Sequence, residues 1–138
     1  MIKSLIDKYS VDIKNLFNMR FLVMVVFGFT GFMRINEILN IKLKNIKVTE
    51  THLEIFLEKS KTDQLREGNI IHISRLESKY CPVKLLLNYL RLAKLDLKQD
   101  SNSFLISRLH KTKKGHNVSK MSGISYNRAR EIFNEYVT

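Results

Sequence analysis

An arginine and a glutamate three residues apart follow the most apolar stretch of the chain. Arg34 and Glu37 lie in TGFMRINEIL, directly after the run MRFLVMVVFGF. A guanidinium stays charged when it is buried, so an arginine at the edge of a core needs an anionic partner, which can be a ligand. The spacing therefore predicts an anion site at this helix end. The alternative is an ordinary surface ion pair, worth about 0–1 kcal/mol.

A second group of cations falls between two expected strands. THLEIFLEKS and NIIHIS alternate apolar and polar residues with a period of two, which predicts a β-hairpin. The joining segment, KTDQLREG, ends in Gly68 and places Lys61 and Arg66 at the exposed end of that hairpin. Basic residues on hairpin turns are normally solvated. Lys61 gains significance because it follows the arginine motif.

The composition predicts one globular domain with a strongly basic surface. In 138 residues, 24 Lys+Arg oppose 13 Asp+Glu, giving a formal charge of +11, which favours nucleic acid or another polyanion as partner. Cys81 is the single cysteine, which excludes a disulfide framework and a cysteine zinc site. The apolar run is too short to cross a bilayer, and the start does not resemble a secretory signal. We expect an intracellular protein without a membrane partner.

Apolar periodicity predicts an α+β fold that is mainly α. VDIKNLFNMRFLVMVVFGF indicates a central buried helix, and INEIL a short one. Pro82 begins an amphipathic helix, and Ser125 stands in N-cap position before a last helix, SYNRAREIFNEYV. Between these helices we expect SFLI as a short strand or extended piece, and SRLHKTKKGHN as a basic loop.

The order of these motifs resembles the catalytic domain of the tyrosine recombinases, the phage-integrase family, and is most similar to the variant found in eukaryotic mobile elements. The resemblance rests on a buried helix leading into G-F-M-R-x-x-E-x-L, a hairpin with S-K-T, a helix opening on C-P-V and a basic helix opening on S-Y. It implies a helical catalytic domain with a small antiparallel sheet. It also implies Arg34 as the first catalytic arginine and Lys61 as the catalytic lysine.

In that family a tyrosine attacks a DNA phosphodiester, and the chemistry requires neither a metal nor a small-molecule cofactor. Arg34 would stabilise the negative charge that builds on the non-bridging oxygens. Lys61 would donate a proton to the leaving 5′ oxygen. Glu37, one turn along from Arg34, would hold the guanidinium in one orientation.

The chain departs from the family after its last helix. The H-x-x-R box and the tyrosine nucleophile should follow there, and the sequence ends at NEYVT instead. HISR, from His72 to Arg75, lies in a predicted strand and is a false match. Tyr136 occupies an apolar helical position that predicts a core residue. We therefore expect residues 1–138 to be a partial catalytic domain that is inactive as an isolated chain.

The expected partner is double-stranded DNA, and assembly as a homo-oligomer on DNA is left open. A non-catalytic DNA-binding module, and a basic helical domain that binds RNA or protein, are the alternatives. The resemblance implies the nucleus as location in a eukaryote. The helix that begins in ISYNRAREIF lies against DNA in the family. The candidate DNA contacts are Lys59 and Arg66 of the hairpin, Lys113 and Lys114 of the basic loop, and Tyr126, Asn127, Arg128 and Arg130 of the last helix.

Overall fold

The computed structural model describes residues 2–9, 15–57, 69–112 and 115–137. Helices exceed strands in this part of the chain, which confirms an α+β fold rich in helix. None of the described helices is long and apolar enough to cross a membrane. The helices are α1 (Ile2–Tyr9), α2 (Leu16–Thr30), α3 (Ile35–Leu39), α4 (Pro82–Ala93) and α5 (Tyr126–Val137). The strands are β1 (Ile46–Val48), β2 (His52–Leu57), β3 (Asn69–Ser74), β4 (Ser107–Thr112) and β5 (Gly115–Gly123).

Helix α2 forms the centre of the core, as its apolar sequence predicts. The Asn15 side chain begins the helix by accepting a hydrogen bond from the backbone N–H of Asn18 at 3.1 Å. Ten side chains of the helix are buried, namely Leu16 and all those from Met19 to Phe27, so nearly its whole circumference contacts protein. Helix α4 packs against it, with Leu86 and Tyr89 fully buried.

The predicted β-hairpin is confirmed as part of a three-stranded antiparallel sheet in the order β1-β2-β3. Leu53 and Ile55 of β2 and Ile73 of β3 are buried, and they alternate with more exposed residues. This alternation gives the sheet one face toward the core and one toward solvent. The register pairs Leu57 with Asn69, where β2 leads into residues 58–68 and β3 emerges from them.

The prediction of a basic loop after SFLI is wrong in part, because β4 and β5 form a second antiparallel hairpin there. Leu109 pairs with Val118, and the register shifts between Ser107 and Arg108. The apolar alternation that marks a half-buried strand is nearly missing in this segment. Its pairing rests on backbone hydrogen bonds, with Val118 supplying one buried anchor. A sequence criterion based on period two therefore fails here.

Helix α5, the last described helix, adds Ala129 and Ile132 to the hydrophobic core. The Ser125 hydroxyl accepts a hydrogen bond from the backbone N–H of Arg128 at 3.2 Å, which confirms the predicted N-cap. Tyr136 stacks on Phe21 with ring centroids 4.2 Å apart. Its hydroxyl donates to Asn18 Oδ1 at 2.8 Å. The interpretation of Tyr136 as a packed residue is confirmed by these contacts.

Candidate nucleic-acid interface

Arg34 lies at the N-cap of α3 with extended backbone and is exposed. The Glu37 carboxylate accepts a hydrogen bond from the backbone N–H of Arg34 at 2.8 Å. This is one half of a capping box, and it satisfies a donor that the short helix would otherwise leave unpaired. Glu37 thus supports Arg34 through the backbone, whereas the sequence led us to expect a contact with the guanidinium.

Close packing at Gly31 fixes the segment that leads to Arg34. A Cβ at Gly31 would lie 2.9 Å from the Phe27 carbonyl oxygen, a distance that real Cβ atoms do not tolerate, and 3.3 Å from Cγ2 of Ile71. Glycine therefore lets the end of α2 approach β3 closely. The next residue, Phe32, has a φ of 51° and is 92% exposed. Gly31, three residues before Arg34, therefore lies against β3.

The hairpin cations Lys59, Lys61 and Arg66 lie outside the described residues, as do Lys113 and Lys114. The strands nevertheless show where residues 58–68 leave and rejoin the sheet. Ile71, which lies close to Gly31 in space, is two positions after Asn69, the first residue of β3. Gly31 is therefore near the end of the sheet at which β3 begins.

The first turn of α5 is exposed at Tyr126, Asn127, Arg128 and Arg130, as a nucleic-acid contact would require. The two arginines differ in their electrostatic surroundings. Arg128 Nη1 contacts carboxylate oxygens of Glu131 at 3.0 Å and Glu135 at 3.5 Å. The Arg130 guanidinium lies 6.0 Å from the centre of the Tyr126 ring. We conclude that Arg128 is partly neutralised by neighbouring carboxylates and that Arg130 retains more of its charge for a partner.

Helix α3 also packs against α5. This contact brings together two motifs that are about ninety residues apart in the sequence. Arg34 begins the one helix and the basic residues begin the other, so the two predicted groups of anion contacts belong to neighbouring elements.

Arg20 is a buried arginine that sequence reasoning missed. Its side chain lies in the middle of α2 and is only 4% exposed. Nη1 donates to the Ser107 carbonyl oxygen at 3.1 Å, while Nε has no hydrogen-bond partner among the described residues. Burial lowers the pKa of the Arg20 guanidinium, and the nearby Arg128 charge acts in the same direction. The signal was visible in MRFLVMVV, where one arginine interrupts an apolar helix.

A cavity of about 450 Å³ opens between the start of α2 and α5. Arg20, Arg128 and Glu135 all line it, so it presents both positive and negative groups, and aromatic side chains make up much of the remaining wall. The cavity is separate from the exposed Arg34 segment. Glu135 offsets part of the positive charge, so the lining does not favour anions alone.

Comparisons with known proteins add no family assignment. Neither the scan against protein-family models nor the search of curated proteins finds a match to this chain.

Proposed function

We propose that this chain is a DNA-binding domain of the tyrosine-recombinase type, related to enzymes that break and rejoin DNA through a phosphotyrosine intermediate. The observation that carries the proposal is the packing of Gly31 against Ile71 of β3. It supports the proposal because Gly31, three residues before Arg34, lies beside the strand that follows the segment containing Lys61 in the sequence. An arginine and a lysine distant in sequence would need this kind of approach to act on one phosphate.

The proposed chemistry assigns a distinct role to each group. Arg34 binds the non-bridging oxygens of one DNA phosphate through its guanidinium, which can make two parallel hydrogen bonds. Glu37 holds the backbone at Arg34 and so limits the positions that this guanidinium reaches. Lys61 protonates the leaving oxygen when a complete catalytic set is present. In the family, the H-x-x-R box and the tyrosine nucleophile both follow the helix that corresponds to α5. These 138 residues do not include either of them at that place, so the chain should bind DNA without cleaving it.

Helix α5 supplies the second part of the proposed DNA surface. Its exposed first turn offers Tyr126, Asn127 and Arg130, and side chains at a helix start commonly reach phosphates or groove edges. The net charge of +11 adds attraction that does not depend on sequence and that weakens as salt is added. Binding should therefore combine one phosphate held at Arg34 with a broader contact along α5.

Fluorescence anisotropy with labelled duplex DNA tests the proposal. Arg34→Ala should weaken binding clearly more than Arg91→Ala, a matched loss of one exposed arginine on α4. Equal losses would instead identify a non-catalytic module that relies on general surface charge. Tighter binding to structured RNA than to duplex DNA at the same salt would contradict the proposal and favour the RNA-binding alternative.

A denaturing gel with the same labelled DNA tests the missing nucleophile. The expected result is that no labelled DNA remains attached to the protein after denaturation. A denaturation-resistant adduct would show that one of the five tyrosines present attacks DNA, which contradicts the assignment made here.

A further inference from the structure

Two histidines and a glutamate meet on the solvent face of the three-stranded sheet. His52 and Glu54 are two residues apart on β2 and therefore share a face. His72 on β3 is the direct cross-strand partner of Glu54. The hairpin register thus assembles three side chains that are common metal ligands, at the end of the sheet remote from residues 58–68.

The distances between the ligand atoms fit a small coordination site. His52 Nε2 lies 3.3 Å from Glu54 Oε1, and His72 Nδ1 lies 3.9 Å from the same oxygen. One ligand atom from each residue can be chosen so that all three lie within 4.8 Å of one another. Tetrahedral zinc, with bonds of about 2.0–2.2 Å, separates its ligand atoms by about 3.3–3.6 Å. Small side-chain adjustments would bring the three atoms to that spacing.

Two threonine hydroxyls lie beside Nδ1 of His52. The Thr49 hydroxyl is 3.1 Å from this nitrogen and donates its hydrogen to the His52 carbonyl oxygen at 2.7 Å. The Thr51 hydroxyl is 2.8 Å from the same nitrogen and can either donate to it or accept from it. When Nδ1 donates to Thr51, Nε2 of the neutral ring carries no hydrogen and can coordinate a metal ion.

The other ring nitrogen, Nε2, lies 3.3 Å from a carboxylate oxygen of Glu54. The nitrogen is buried and has no hydrogen-bond partner within the described part of the chain. A metal ion bound by both atoms would give this buried polar nitrogen a partner. Histidine ligands of metals characteristically donate the other ring N–H to a neighbouring oxygen, and the Thr51 hydroxyl lies 2.8 Å from Nδ1 in a position to accept it.

We propose that His52, Glu54 and His72 form a binding site for a divalent transition-metal ion of the zinc type. Two imidazoles favour such an ion over magnesium or calcium, which prefer oxygen ligands. Three protein ligands leave a fourth position for water or another group. The bound ion would cross-link β2 to β3 and hold the hairpin in its register. This site is independent of the proposed DNA-binding role.

Isothermal titration of the full 138-residue chain, stripped of metal with a chelator, tests the site with Zn²⁺ and with Mg²⁺. One Zn²⁺ should bind per chain, and Mg²⁺ should not compete. His72→Ala suits the test because the side chain is 60% exposed and its removal should leave the fold intact, as circular dichroism can verify. His72→Ala and Glu54→Gln should each weaken Zn²⁺ binding by more than the roughly 10–100-fold expected for loss of an outer hydrogen-bond partner.

His110→Ala is the matched control, because it removes an imidazole from β4, which is not part of the three-stranded sheet that holds the proposed site. It should leave Zn²⁺ affinity unchanged, and Co²⁺ bound to the unaltered chain should give the visible absorption of a tetrahedral site. Unchanged affinity in His72→Ala, or loss of binding in His110→Ala, would overturn the proposal. Failure of the unaltered chain to bind Zn²⁺ would also overturn it and would leave the His52–Glu54 contact as a direct contact without a metal ion.

Discussion

The guanidinium of Arg20 on α2 donates a hydrogen bond to the carbonyl oxygen of Ser107 on β4, 87 residues along the chain, at 3.1 Å. Both residues are buried. The bond connects the central helix to the β4–β5 hairpin at the point where the hairpin register shifts. It also gives a polar partner to a backbone carbonyl inside the core, which would be costly to leave unpaired.

Arg20→Ala should therefore destabilise the protein by about 1–3 kcal/mol, because it removes a buried hydrogen bond from a charged group. The contact of the guanidinium with the Phe17 ring, 5.5 Å from its centre, is lost as well. Urea unfolding followed by circular dichroism measures this change. Arg108→Ala, an exposed change at the residue after Ser107 on β4, should stay within about 0.5 kcal/mol. A similarly small effect of Arg20→Ala would mean that its hydrogen bond contributes little to stability.

Glu37→Ala should lower the free energy of unfolding by about 0.5–2 kcal/mol, because it removes the acceptor for the Arg34 backbone N–H. Thermal or urea unfolding checks the value, and Glu50→Ala, at an exposed bend, provides the control. If the proposed function is right, Glu37→Ala also weakens DNA binding, since the position of Arg34 is less restricted. Normal stability in this variant would contradict the cap assignment.

Arg130→Ala should weaken DNA binding more than Arg128→Ala. The Arg128 charge is shared with Glu131 and Glu135, whereas Arg130 lies beside the Tyr126 ring. Anisotropy measured over a series of salt concentrations should show a slope reduced by about one unit for Arg130→Ala. The reverse order of the two variants would show that the carboxylates reorganise when DNA binds.

Tyr136→Phe should cost about 0.5–1.5 kcal/mol of stability, because it removes the hydrogen bond to Asn18 Oδ1 and keeps the ring stacked on Phe21. DNA affinity should not change. Paired unfolding and anisotropy measurements on the same preparation check both statements. A loss of DNA binding with unchanged stability would indicate that this hydroxyl acts on the ligand.

Sequence patterns predicted the elements whose periodicity is strong. The apolar run of α2, the Pro82 start of α4 and the alternating β2 and β3 were all recognisable. The β4–β5 hairpin was missed because its strands are polar on nearly every position, so backbone pairing leaves no apolar alternation to detect. Local spacing therefore locates elements that bury one face and overlooks those that pair mainly through the backbone.

The candidate sites also differ in whether local sequence patterns could predict them. Arg34 and the start of α5 were predicted from motifs and are exposed in the structure. The roles of Lys59, Lys61, Arg66, Lys113 and Lys114 stay predictions, since these residues lie outside the described part of the chain. The meeting of His52 and Glu54 with His72 could not be predicted, because it depends on the register between two strands and not on spacing along one.

Phe32 adopts a left-handed backbone conformation while its ring is almost entirely in water. Such backbone strain costs on the order of 1–3 kcal/mol, and here no side-chain burial offsets it. Covering the ring would release about 1.5–3 kcal/mol of hydrophobic free energy. A surface that covered the Phe32 ring would therefore offset the free energy of this strained backbone, which the isolated chain does not compensate at this turn.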